Sequence, residues 1–222
     1  MKLTMLGTGN ALVTECYNTC FVVQNGKKHL LVDGGGGNTL LAQLKHAGFD
    51  WMDMREIFVT HKHVDHLMGI VWMIRMICQY MRQGQYQGEA WIYGHDEVIA
   101  ILKEMADRLL SGKETNRLHM EVVGDGEERT LIGKKVTFFD IGSTKAKQYG
   151  FCMDMGDGEK LTCCGDEPYN ECERNYAENS KWLLHEAFCL YDQAEEFHPY
   201  EKHHSTAKDA CELAESLRVK NL

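Results

Sequence analysis

Only two of the 222 residues are proline, and no polar low-complexity run interrupts the chain. Nothing marks an interdomain linker, so the reading is one domain over residues 1–222. No apolar stretch approaches the ~18 residues that cross a bilayer, so no membrane span is expected. The opening MKLTMLGTG lacks the apolar segment and cleavage pattern of a secretory signal. Positive charge is scarce. Against 33 Asp and Glu stand 24 Lys and Arg, a net charge of −9. Phosphate neutralisation dominates nucleic-acid affinity, so a general nucleic-acid surface is not expected. Lys27-Lys28, Lys134-Lys135 and the Lys145/Lys147 pair are small islands that suit solvated turns. Internal repeats at solenoid periods are absent. Nine cysteines are present, but Cys16/Cys20 and Cys163/Cys164 lack the spacing of a zinc ribbon. Free thiols in a reducing, cytoplasmic setting are expected.

What the chain does have is metal-ligand chemistry concentrated in one place. His61-Lys62-His63-Val64-Asp65-His66 follows the apolar run Ile57-Phe58-Val59. In an extended segment, His61 and His63 lie two apart and project to the same side. Asp65 and His66 open a helical pattern, so their side chains sit at a helix N-terminus. A strand end running into a helix start can aim two imidazoles at one metal and an Asp-His pair at a second. Imidazole with carboxylate suits zinc first, with manganese or iron as alternatives.

Periodicity supplies the framework. A hairpin over residues 21–32 is expected to turn at Asn25-Gly26. Asn38 caps a helix to about His46, ended by Gly48. A strand at 56–60 precedes the histidine cluster, and a helix runs from about Asp65 to Arg82 with Met68, Trp72, Met76 and Met81 as core. A short strand at 91–93 leads to a helix from Asp96 to about Leu110. Strands follow at 118–123, 135–141, 149–155, 160–164 and 181–187, then a helix over 206–217 capped by Ser205 or Thr206. The run Gly34-Gly35-Gly36-Gly37 lacks the form of a phosphate loop, and its glycines are expected to let the backbone pass close beneath the metal loop.

Other segments fall in a telling order: MKLTMLGTG, Leu31-Val32-Asp33-Gly34-Gly35, the histidine cluster, Thr162-Cys163-Cys164-Gly165-Asp166, Leu184-His185-Glu186-Ala187 and His204-Ser205-Thr206. Together they resemble the metallo-β-lactamase fold superfamily, whose signature is H-x-H-x-D-H, and within it the ribonuclease Z-like phosphodiesterase branch. The resemblance implies an α/β (α+β) fold, an αββα sandwich of two mixed β-sheets flanked by helices; periodicity alone gives only α/β or α+β. It implies up to two Zn2+ ions, with Mn2+ or Fe2+ as alternatives. His61 and His63 would hold the first, Asp65 and His66 the second, and Asp166 would bridge them. Such a pair polarises a phosphoryl oxygen and generates a hydroxide nucleophile. The implied catalytic residues are Asp65, which orients the water, and Glu186 with His204 at the leaving-group end.

Two ligands of the family pattern have no counterpart. The segment Asp140-Ile141-Gly142-Ser143-Thr144-Lys145 holds no histidine where the family places one. The family's last strand, with its histidine, would begin where this sequence reaches Leu222, so the domain is expected to be C-terminally incomplete. Each metal then keeps two private ligands plus Asp166, enough for a catalytic zinc with open positions. Ser143, Thr144 and His185 are the available substitutes. The chain also lacks the Gly/Pro-rich arm with which long ribonuclease Z forms grip tRNA. The expected substrate is a small-molecule or nucleotide phosphodiester rather than tRNA. Alternatives are a lactonase or thioesterase of the same fold, or a metal-poor binding or regulatory relative. Oligomeric state is not legible, and a homodimer stays open.

Overall fold

The computed structural model describes residues 1–110 and 116–222. They form two compact units, Met1–Val123 with Leu131–Gly133, and Gly124–Thr130 with Lys134–Leu222.

The first unit carries a six-stranded mixed sheet in the order β1-β2-β3-β4-β5-β6, with β1 (Lys2–Gly7), β2 (Cys20–Asn25), β3 (Lys28–Val32), β4 (Glu56–Val59), β5 (Ala90–Gly94) and β6 (Leu118–Val122). β1, β2 and β3 pair antiparallel, whereas β3 to β6 run parallel. The parallel pairs are joined through α1 (Thr39–His46), α2 (Val64–Arg82) and α3 (Asp96–Leu109), as parallel neighbours require a crossover. Leu30, Leu31, Val32, Ile57, Phe58 and Val59 are all buried, the pattern of parallel strands covered on both faces. In the hairpin, Asn25 pairs with Lys28, so the loop is Gly26-Lys27 rather than Asn25-Gly26. Gly26 carries the positive φ of 60° that such a tight loop needs.

In α2 the expected core stripe holds only in part, with Met81 in the core and Met68 packed against it. Trp72 is exposed and Met68 and Met76 are half-buried or less fully covered than expected, while Leu67, Ile70, Val71, Ile74, Ile77 and Met81 form the buried face. Nearly every turn of α2 offers apolar residues on both sides, so the sequence alone left its orientation open.

The second unit carries a five-stranded mixed sheet in the order β11-β10-β9-β8-β7, with β7 (Glu128–Leu131), β8 (Lys134–Asp140), β9 (Tyr149–Gly156), β10 (Glu159–Cys163) and β11 (Trp182–Leu184). β8, β9 and β10 are antiparallel, and β10 and β11 are parallel. The helices are α4 (Arg174–Ala177), α5 (Ala194–Phe197) and α6 (Ala207–Ser216). β7 escapes sequence reading because Glu128, Arg129 and Thr130 are all exposed. β11 ends at Leu184, three residues before the expected Ala187. Asn221 makes a parallel bridge to Trp182, with Leu183 N–H donating to Asn221 O at 2.9 Å. α6 starts from Thr206, whose hydroxyl accepts from Asp209 N–H while Asp209 Oδ2 accepts from Thr206 N–H. Each sheet has flanking helices, which realises the α/β class. No helix among the described residues is long and apolar enough to cross a membrane.

Candidate metal centre

The histidine cluster begins where β4 ends. Thr60 and His61 are buried, and the chain stays extended through His63, whose φ of −61° and ψ of 145° mark it as the residue before α2. The His63 side chain makes no capping hydrogen bond, so its ring is free to face its neighbour. Beneath lies Asp33, buried at the end of β3 and held at a φ of 58°. Asp33 Oδ1 accepts from Thr60 N–H at 2.8 Å, and Oδ2 accepts from Thr60 Oγ1–H and His66 Nδ1–H, both at 2.8 Å.

These bonds decide the histidine tautomers. The Thr60 hydroxyl proton is committed to Asp33, so Thr60 Oγ1 accepts from His61 Nδ1–H at 2.9 Å. The His61 lone pair is therefore on Nε2. His66 likewise gives its Nδ1–H to Asp33, leaving its lone pair on Nε2. A carboxylate behind a ring nitrogen is how metal-binding imidazoles are oriented. Burial holds His61 well below the usual histidine pKa, with His66, His63 and His95 adding to the depression, so the ring is neutral, as a ligand must be.

Two pairs of ligand atoms result. His61 Nε2 lies 2.9 Å from His63 Nδ1. Two nitrogens on one tetrahedral zinc, at bonds of ~2.1 Å, stand ~3.3 Å apart, so this spacing suits a shared ion. His66 Nε2 lies 3.7 Å from Asp65 Oδ2. Asp33, His61 and His66 also offer atoms within 4.8 Å of one another. Both Asp33 oxygens are already engaged by Thr60 and His66, which makes Asp33 the orienting carboxylate rather than a ligand. Imidazole nitrogens beside a carboxylate are a donor set that fits a divalent metal.

The glycine run does what was expected of it. Gly34 N–H donates to His66 O at 2.7 Å, and Gly69 N–H donates to Gly35 O at 2.8 Å. A Cβ on Gly69 would stand 1.8 Å from Gly34 O, and one on Gly34 would stand 2.5 Å from Ile70 N. Backbone packs on backbone, which keeps Asp33 against the start of α2.

In the second unit, Asp166 follows β10 and Gly165, a glycine with φ of 79°. Its N–H donates to Gln148 Oε1 at 3.2 Å. Glu186 and His204 come together as expected. Glu186 Oε2 accepts from His204 Nδ1–H at 3.2 Å, and Oε1 accepts from Ser205 N–H and Ser205 Oγ–H, both at 2.6 Å. His204 thus presents Nε2 outward, with the Phe188 ring stacked on it at 5.0 Å and 14°. Ser205, which fixes the carboxylate, stands in the sequence as a motif residue and a candidate helix cap; the cap is Thr206. His185 is held by its own neighbour, Nδ1 against Glu186 O at 2.7 Å, while Nε2 is buried with no hydrogen-bond partner among the described residues. Burial lowers its pKa.

Gly142, where the family pattern would place a histidine, has a φ of 71°, and a Cβ there would stand 2.8 Å from Asn170 Nδ2. A histidine does not fit this backbone. Ser143, one of the suggested substitutes, donates to Glu167 Oε1 at 2.7 Å. Residues that sequence reasoning missed are Thr60, Gln148 and Glu167. Each acts through a hydrogen bond to a motif residue or its neighbour, and only the fold reveals that.

The family model described as Anti-Pycsar protein Apyc1 matches residues 1–221. Ribonuclease Z 1 of Schizosaccharomyces pombe is 26% identical over 88% of this chain, which spans only 26% of that relative. Ribonuclease Z of Archaeoglobus fulgidus is 23% identical over the whole chain and 85% of the relative. Among solved structures, the short form of human tRNase Z superposes with a TM-score of 0.77 at 20% identity, covering 99% of this chain and 90% of that one. Zn2+-bound PqqB from Methylobacterium extorquens gives 0.63 at 14% identity, covering 88% and 76%. The fold is that of the metallo-β-lactamases, the chain is similar to ribonuclease Z proteins, and these relatives agree with a hydrolase that binds divalent metal.

Proposed function

We propose that this chain, which belongs to the Anti-Pycsar protein Apyc1 family, is a metal-dependent phosphodiesterase acting on a small or nucleotide phosphodiester. The observation that carries the reading is the pair of converging ring nitrogens, His61 Nε2 and His63 Nδ1, 2.9 Å apart with His61 fixed in its tautomer by Thr60. A divalent metal, when bound, supplies Lewis-acid polarisation of the phosphoryl oxygen and an activated water. His61 and His63 hold one position, and Asp65 and His66 form a second. Asp166 takes the bridging role on the strength of the sequence resemblance.

The Glu186–His204 pair supports phosphodiester chemistry over the thioesterase alternative. The alcohol of a phosphodiester leaves as an alkoxide that needs a proton, as a thiolate does not, and His204 Nε2 is the group oriented to give one. Glu186 holds the ring from behind and is itself held by Ser205. The net charge of −9 supports a small substrate over a long polyanion. All nine cysteines are free, which supports a reducing, cytoplasmic setting.

With added Mn2+ or Zn2+, bis-p-nitrophenyl phosphate should be hydrolysed faster than a β-lactam, a lactone or a thioester. His63→Ala should abolish the rate; His204→Ala should lower the rate on a diester with an alkoxide leaving group by about 10²–10⁴-fold and that on bis-p-nitrophenyl phosphate, whose nitrophenolate leaves without a proton, by less. Unchanged turnover in His63→Ala would show that the histidine cluster is not the catalytic centre.

A further inference from the structure

Asp166 hangs from a loop, and the loop is held by a buried polar network. Gln148, only 1% exposed just before β9, bridges two neighbours. Its Oε1 accepts from Asp166 N–H at 3.2 Å, and its Nε2 donates to Glu167 Oε1 at 3.4 Å. The amide can be oriented only one way, since a backbone N–H requires an acceptor and a carboxylate requires a donor. Glu167 is buried as well, and its Oε1 also accepts from Ser143 Oγ–H at 2.7 Å. Ser143 Oγ in turn accepts from Lys145 N–H and Ala146 N–H, both at 3.3 Å. Ile141 N–H donates to Gln148 O at 3.2 Å, closing the 141–148 loop on itself. Gly165, at a φ of 79°, allows the approach, because a Cβ there would lie 2.9 Å from Ile141 Cδ1 and 3.4 Å from Gln148 Oε1.

This is the loop that carries no metal-ligating histidine. It offers instead a chain of hydrogen bonds from Ser143 through Glu167 and Gln148 to the backbone of Asp166. We infer that Gln148 and Glu167 are positioning residues for Asp166, so that the 141–148 loop contributes to metal affinity by fixing a ligand-bearing turn rather than by ligating. The inference rests on the reading of Asp166 as a metal ligand. Partners that orient ligands typically contribute about 10–100-fold to metal affinity. A buried network of this kind acts as a unit, because breaking one link leaves a buried carboxylate or amide unpaired.

The test is the dissociation constant for Mn2+ alone, measured by titration calorimetry on the full chain, beside the melting temperature without metal. Asp166→Asn should weaken binding most. Gln148→Met, close in volume but unable to accept from Asp166 N–H, and Glu167→Met, which removes the acceptor of Gln148 and Ser143, should each weaken it by about 10–100-fold; Glu167→Gln keeps an acceptor oxygen and should weaken it less. Gln148→Glu alone should be at least as damaging as Gln148→Met, since it sets two carboxylates against each other. The double exchange Gln148→Glu/Glu167→Gln should return affinity towards that of the unmodified chain. In it the carboxylate now at position 148 still accepts from Asp166 N–H. The amide now at position 167 donates to that carboxylate, which restores the link between the two side chains.

A merely structural role would lower the metal-free melting temperature and leave the dissociation constant of the folded protein unchanged; that result overturns the inference. So does a double exchange that recovers melting but not affinity. Should Gln148→Met fail to fold, Glu167→Met and the double exchange still decide. If Asp166→Asn itself leaves Mn2+ binding intact, the ligand reading of Asp166 falls, and the positioning role falls with it.

Discussion

Asp33 touches no ligand lone pair, yet it sets which nitrogen of His66 directly, and of His61 through Thr60, is available to a metal. Asp33→Asn would place an amide donor or a weaker acceptor against three donors. At least one of Thr60 and His66 would lose its acceptor and the ring its tautomer. The expected outcome is metal affinity reduced by about 10–100-fold, measured by titration calorimetry, with the far-ultraviolet spectrum retained. Glu173 is a second residue with an outsized effect. It is buried, one of its oxygens has no hydrogen-bond partner among the described residues, and burial pushes its pKa up to about 7. Because the folded-state pKa is raised, its contribution to stability is full below the unfolded-state value near 4.5. That contribution declines as pH rises and is gone above about 7. The loss is on the order of 3 kcal/mol from the size of the shift. Glu173→Gln should flatten this decline between about pH 5 and 8, seen as a difference in urea midpoint between variant and parent. Gly142→His, by contrast, should not improve metal retention. The positive φ and the Asn170 side chain oppose it, and its expected readout is a lower melting temperature with unchanged metal content.

At the scale of elements, the site depends on how closely α2 sits on the loop after β3. By helix propensity alone, Gly69→Ala would stabilise α2 by about 1 kcal/mol. A methyl group 1.8 Å from Gly34 O has nowhere to go, and separating two backbones costs about 1–3 kcal/mol or more. The steric cost wins, so Gly69→Ala should destabilise the protein and weaken metal binding together. Gly37→Ala is the matched control, since a Cβ there meets nothing within 4 Å; it should leave both within error. Differential scanning calorimetry with and without Mn2+ separates the two substitutions.

For the whole molecule, charge is the property that bears on substrate. With a net charge of −9, a long RNA would find little counterion release to drive its binding, whereas a small phosphodiester would need only the proposed metal centre. Cleavage of a dinucleotide should therefore exceed that of a tRNA precursor at equal phosphodiester concentration. The small-substrate rate should change by less than about tenfold between roughly 50 and 200 mM salt, a range over which a protein making about 6–10 phosphate contacts loses about 10³–10⁵ in affinity. A steep salt dependence, or a preference for the precursor, would count against the small-substrate assignment.

The α/β alternation and the neighbourhood of His61 with His63 and of Asp65 with His66 are already legible in the amino-acid order. These rest on local rules. Residues two apart in an extended strand share a side, a helix start follows a strand end, and apolar runs seek burial. The meeting of Glu186 with His204 was legible only through the order of the motifs, since no local rule joins residues so far apart. Only the tertiary structure decided the rest. The phase of α2 was open because apolar residues surround it, and β7 was hidden because its side chains stay exposed. The left-handed backbone at Gly142 is invisible in a one-letter code. Asp33 as an orienting carboxylate, and Gln148 and Glu167 behind Asp166, depend on hydrogen bonds between residues 18 to 33 positions apart. No local pattern encodes such a bond; it exists only once packing has brought its two ends together and removed the water that would otherwise have taken the place of either.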